Sequence, residues 1–136
     1  MSSDLILEHS DALILLARVL LMALFLVTGY TKLANFPGTA AYMASAGLPA
    51  PKLAAMFAIA IEFFGGIALV VGVFTQPLAL LYVVFTFVSA LEGHRFWKKT
   101  GTEREAQKIN FLKNVSIMGG LLLLAITGPG KYAFSH

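Results

Sequence analysis

Four apolar runs dominate this chain, each close to the roughly 20 residues a helix needs to cross a hydrocarbon core of about 30 Å. They cover about residues 12–33, 53–74, 78–97 and 109–127. None alternates polar and apolar residues as a half-buried strand does, and at membrane depth only helices and closed barrels satisfy their own backbone groups. Composition points the same way: 58% of the 136 residues are hydrophobic and 12% are charged, more apolar surface than a domain of this size hides from water. The expected fold is all-α, a four-transmembrane-helix bundle with antiparallel up-down topology. It forms a single integral membrane domain over residues 1–136, with the lipid bilayer as its solvent.

Turn-forming residues punctuate the runs. Asn35, Pro37 and Gly38 end the first helix, Leu48-Pro49-Ala50-Pro51 precedes the second, and Gly128-Pro129-Gly130 stops the fourth. Thr75-Gln76-Pro77 is so short a connection that the second and third helices must be antiparallel neighbours. Between the first two helices, TAAYMASAG reads equally as a short interfacial helix, with Tyr42 and Met43 against lipid, or as a plain loop. No basic residue precedes Arg18 and no small-residue cleavage site follows the first run, so that run is expected to be retained.

Several chemistries are excluded by counting. The chain has no cysteine, hence no thiol couple, thiolate metal site or disulfide of its own. Its histidines are His9, His94 and His136, two of them in the tails, so neither a two-histidine haem nor a zinc site is expected and the metal expectation is none. The net charge is +3, yet no basic stripe is interleaved with aromatics, and nucleic acid is not an expected partner.

Ionisable groups at membrane depth usually face the protein and have a partner, since each costs roughly 2.5–3.5 kcal/mol on insertion scales. At about 1.5 Å per residue, Arg18 lies about 9 Å from the outer end, Glu62 about 16 Å, and Glu92, Lys113 and Asn114 about 22 Å, with His94 a little deeper. These residues form a ladder for handling a ligand or protons, or a set of structural ion pairs. Arg18 with Glu62 and Lys113 with Glu92 are the expected pairs, Lys32 is expected to snorkel, and His94 reads as interfacial. Gly65, Gly66, Gly72, Gly119 and Gly120 are expected to serve helix packing, because small residues let membrane helices approach closely. No strand precedes these glycines and no Lys-Ser/Thr follows, so they are not a phosphate loop.

Arg18 early in the first run, FLVTGYTKL (25–33), AYMASAGLPAP (41–51), IEFFGGIALVVGVFTQP (61–77), EGHRFW (92–97) and NFLKNVSIMGGLLLLAITGPG (110–130) together resemble the DoxX family of small bacterial inner-membrane proteins. Arg18, Lys32, Glu62, His94, Lys113 and Asn114 match that family's recurrent polar places, while Gln76 stands where many members carry a basic residue. The resemblance implies a multi-pass protein of the bacterial inner membrane related to DoxD, a subunit of a thiosulfate:quinone oxidoreductase. It also implies a link to membrane redox assemblies that handle oxidative stress, and more distantly to assembly chaperones for receptors.

Three functions fit these residues. In the first, the bundle is a subunit of, or partner in, a membrane redox assembly and holds a quinone-like ligand near Glu62, Arg18 and the Glu92/Lys113 level. It has no intrinsic cofactor and needs a redox partner protein to deliver electrons. In the second, every charge is structural and the chain is an assembly or interaction protein, a homo-oligomer included. In the third, the ladder conducts a small solute or protons, although four short helices give little room for alternating access. No complete catalytic centre is visible.

Lys32, Lys52, Arg95, Lys98, Lys99, Arg104, Lys108 and Lys113 gather on one side of the membrane, against Lys131 and Arg18 on the other. The positive-inside rule then places both odd-numbered loops in the cytoplasm and both termini outside. A reporter fused after His136 that works only outside the cytoplasm should be active, and a cytoplasm-only reporter at the same place silent.

Overall fold

A computed structural model describes residues 3–134, and all regular structure among them is helical. In order come α1 (Ser3–Glu8), α2 (Ser10–Ala34), α3 (Phe36–Ser45), α4 (Pro51–Ile59), a π-helical turn (Ala60–Gly65), α5 (Gly66–Val71), α6 (Thr75–Gly93), a 3-10 turn (Phe96–Lys98) and α7 (Gly101–Thr127). α4, the π turn and α5 continue into one another as a single rod, Pro51–Val71. The four spans long and apolar enough to cross a membrane are Ser10–Ala34, this rod, Thr75–Lys98 and Gly101–Thr127. They correspond to the four runs in the sequence. The chain forms two compact units: residues up to Thr75 together with those from Gly128 onward, and Gln76–Thr127.

In the first unit, α2 lies against the rod. Gly29 sets the distance, because a Cβ built there would stand 2.7 Å from the Phe63 backbone nitrogen and 3.0 Å from the Glu62 carbonyl carbon. α2 stops at Asn35, whose backbone leaves the helical region and whose side-chain Oδ1 caps the next helix by accepting from the Gly38 N–H at 3.2 Å. Pro37 in the first turn suits a helix start, where no amide proton is needed. Of the two readings of this connection, the helical one holds as α3. Tyr42 points outward, but Met43 is buried rather than against lipid, since consecutive residues of a helix cannot share a face.

The rod ends at Val71, short of the expected Phe74. Gly72 terminates it with a left-handed φ of 85°, and its N–H donates to the Ala68 carbonyl at 2.9 Å. The chain's last described residues return to this point. The Phe134 N–H donates to the Val71 carbonyl at 2.9 Å, and Ala133 sits where a side chain at Gly72 would be, its Cβ 2.6 Å from the Cβ that an alanine there would carry. Asp11, in the first turn of α2, holds the same tail by accepting from the Lys131 N–H at 2.8 Å.

In the second unit, α6 and α7 are tied at both ends, which makes them antiparallel. Gln76 donates from Nε2 to the Ala125 carbonyl at 2.8 Å, and His94 Nδ1 shares a hydrogen bond with Gln107 Oε1, also 2.8 Å. Beside the His94 tie, Phe96, Trp97 and Phe111 pack edge to face with centroids 5.3 to 5.7 Å apart. α6 ends at Gly93, before the expected Trp97, and the 3-10 turn completes the span. α7 starts at Gly101, well before the expected Ile109. Its first turns, GTEREAQK, are polar yet rich in good helix formers, and Lys99 reaches Glu103 at 3.5 Å one turn on.

Gly72 and Gly101 separate backbone strain from clash, since both are left-handed but a Cβ at Gly101 meets nothing within 4 Å among the described residues. Gly101→Ala should cost only the roughly 1–2 kcal/mol of a left-handed alanine. Gly72→Ala should add about 1–3 kcal/mol of overpacking against Ala133. Thermal unfolding of both variants in detergent micelles measures the difference.

Candidate functional site

α2 and the rod Pro51–Val71 carry two separate polar sites, and the residues expected to share one site are divided between them. Gly29 packs on Glu62 and Phe63, so the antiparallel rod sets Glu62 beside residues 28 and 29 of α2. Arg18 is then ten residues from that level, about 15 Å along the helix. The expected Arg18 to Glu62 pair does not form. The expected depths placed the outer ends of both helices in one plane, whereas the rod ends level with Arg18, about two turns along α2 from its start at Ser10.

Arg18 is 1% exposed, and its hydrogen-bond partners among the described residues are all backbone carbonyls. Its Nε donates to Leu69 at 3.2 Å, Nη2 to Val70, and Nη1 to both Pro129 at 2.6 Å and Tyr132 at 2.7 Å. The last carbonyls of a helix have no partner within it, and each one at the end of the rod is met here. Ala68 receives the Gly72 and Val73 N–H groups, Leu69 and Val70 receive Arg18, and Val71 receives Phe134. A planar guanidinium with donors in a fixed fork can serve four carbonyls on two segments at once, which a lysine cannot.

Glu62 lies in the π turn and is 5% exposed. Lys32 Nζ donates to its two oxygens at 2.6 and 2.8 Å, and Thr28 Oγ1 donates to Oε1 at 2.9 Å. Thr28 and Lys32 are four residues apart on one face of α2, with Gly29 between them giving the close approach that brings both within reach. Lys32 therefore does not simply snorkel. Its side chain is 29% exposed and leads from the carboxylate to the surface. The π turn hydrogen-bonds at i→i+5, and such turns are frequent at functional sites. Phe63 flanks the pair, with its ring 6.2 Å from Tyr30 and 5.2 Å from Phe64.

The other expected residues lie in the second unit. Glu92 pairs at 3.0 Å with Arg95, three residues on and just past the end of α6, and not with Lys113. Lys113 is exposed and takes part in none of the described ion pairs, as its place near the start of the apolar part of α7 allows it to reach water. Asn114 is half-buried on α7, and His94 is held by Gln107. Among the glycines, Gly66 is buried and Gly65 half-buried where the π turn passes into α5, and Gly72 is the cap. Gly120 is half-buried; a Cβ at Gly119 would meet nothing within 4 Å among the described residues, so no close approach within this chain accounts for it.

Gly29 and Thr28 escaped the sequence reading. The available signal was the run Thr28-Gly29 one turn before Lys32, a small residue set between two donors on one face.

Comparisons with known proteins bear on these sites. Residues 13–95, which include Arg18, Thr28, Lys32 and Glu62, match the DoxX family model. The chain is 48% identical over 124 residues to the inner membrane protein YphA of Escherichia coli (strain K12), covering 91% of this chain and 89% of that one. It is 37% identical over 126 residues to the inner membrane protein YqjF of the same organism, covering 93% and 92%. A shorter match of 76 residues, 30% identical, links 55% of the chain to 24% of the ER-derived vesicles protein ERV29 of Saccharomyces cerevisiae. No solved structure matches.

Breaking a buried pair by removing one partner costs roughly 3–5 kcal/mol, whereas replacing both partners is often close to neutral. Lys32→Met should fall at the lower end of that range, because Lys32 is partly exposed. The double variant Lys32→Met/Glu62→Gln should regain at least about 1 kcal/mol. A double-mutant cycle read by unfolding in micelles tests this.

Proposed function

The chain belongs to the DoxX family of integral membrane proteins, and from that premise we propose that it works in the bacterial inner membrane as the membrane-embedded scaffold of a larger assembly, partnering a redox protein rather than performing redox chemistry itself. One observation carries this reading. The deep charges of the first unit are bound by the chain's own groups: Arg18 by four carbonyls, and Glu62 by Lys32 and Thr28. Charges held in this way fix helix register. The lack of cysteine means that any thiol chemistry of the assembly belongs to the partner.

A second reading, a quinone-like ligand at the Glu62 site, is favoured by the π turn and by the partly exposed Lys32 beside it. The residue types fit a quinone: the Lys32 ammonium and the Thr28 hydroxyl are donors suited to its carbonyl oxygens, and Glu62 can take or give a proton. A bound quinone would supply the electron acceptor. Lys32 and Thr28 already donate to Glu62, so a ligand carbonyl must share the ammonium with that carboxylate.

Native mass spectrometry with solvent extraction, on wild type and Glu62→Gln purified from membranes in a lipid-retaining system, separates the two. Under the scaffold reading, both proteins carry the same stoichiometric partner and neither carries a quinone, while the variant unfolds at lower temperature. A near-stoichiometric quinone that is present in wild type and lost in the variant would replace the scaffold by the ligand site.

A further inference from the structure

Where α6 leaves the apolar part of its span, the second unit has a shallow groove lined by Leu91, Glu92, Arg95, Trp97 and Lys98. It is built independently of the Glu62 pair. We propose that this groove is a binding site for the headgroup of an anionic phospholipid, with the phosphodiester held between Arg95 and Lys98.

The lining combines the kinds of group that face a phospholipid at the edge of the hydrocarbon: one apolar side chain, one indole and two cations. Leu91 supplies the apolar side chain. Trp97 is half exposed, and an indole at this depth prefers the zone between hydrocarbon and water. Its ring is fixed by Phe96 and Phe111, so it forms a rigid wall and not a floating anchor. Arg95 and Lys98 supply the cations.

Both cations have donors to offer. Arg95 is oriented by two bonds, Nε to the Leu91 carbonyl at 2.7 Å and Nη2 to Glu92 at 3.0 Å. Its Nη1 enters no hydrogen bond among the described residues. The Lys98 ammonium takes part in none of the described ion pairs, whereas its neighbour Lys99 is paired with Glu103. Glu92 also lines the groove and offsets one of the two cations, leaving a net charge of plus one. One phosphodiester carries one negative charge. The complement is a monoanionic headgroup, and a zwitterionic one, whose own ammonium would meet Arg95 and Lys98, is disfavoured. In the first turns of the next helix, Arg104 and Lys108 are balanced by Glu103 and Glu105, so the charge of the groove itself sets the preference.

The test uses the full chain in a mild detergent, titrated with phosphatidylglycerol or phosphatidylcholine and read by native mass spectrometry. Phosphatidylglycerol should be retained about fivefold more than phosphatidylcholine, the scale set by one basic residue at an anionic surface. Lys98→Gln and Arg95→Gln should each remove most of that preference. Lys131→Gln, which deletes a charge from the exposed tail, should leave it unchanged. Equal retention of the two lipids, or an equal loss in Lys131→Gln, would overturn the site in favour of diffuse charge attraction. Displacement of phosphatidylglycerol by millimolar inorganic phosphate would overturn the lipid assignment, because the ligand would then be the free anion. Lys98 is exposed, so its replacement leaves folding intact, and circular dichroism of each variant verifies that.

Discussion

A helix that ends inside or at the edge of a bilayer leaves carbonyl groups with no water to meet, and each unmet group costs several kcal/mol. The rod Pro51–Val71 ends in that situation, and Arg18 is the answer to it. Four carbonyls from two segments converge on one guanidinium, which fixes three things together: where the rod stops, how α2 slides against it, and where the tail lies. An arginine in such a place is an unusually strong device because its counter-groups are dipoles of the backbone. They cannot titrate away and they do not need a second buried charge.

With that end fixed, the opposite end of the interface follows from helix geometry. Gly29 meets the backbone of the π turn, and Thr28 and Lys32 meet the carboxylate of Glu62. The two polar sites act as end-stops on an apolar interface that would otherwise permit sliding, since lipid offers little hydrophobic drive to choose one register over another. This division of labour favours a scaffold. It also leaves Lys32 as the place where the interior meets a path to the surface.

The sequence made the spans legible because hydrocarbon thickness imposes length and composition directly. It also made the list of buried polar residues legible, because few charges occur there. The partners of those residues were not legible, for reasons that can be named. Arg18 chose carbonyls, and carbonyls are present at every position, so no residue type announces them. Glu62 chose Lys32 over Arg18 because the rod ends level with Arg18 and not with the start of α2, an offset that hydropathy does not record. Met43 turned inward beside an outward Tyr42, which a loop-or-helix ambiguity could not resolve. The polar start of α7 was hidden for the opposite reason: GTEREAQK is helical through its own propensity, outside the stretch that hydropathy detects.

The tail contacts also impose an order on biogenesis. Arg18 belongs to α2, yet the Pro129 carbonyl it binds is synthesised 111 residues later and that of Tyr132 later still. Until then the guanidinium has incomplete company in the membrane, and α2 is held at depth with part of its charge unmet. The settling of α2 is therefore coupled to the arrival of residues 129–132, which belong to no span themselves.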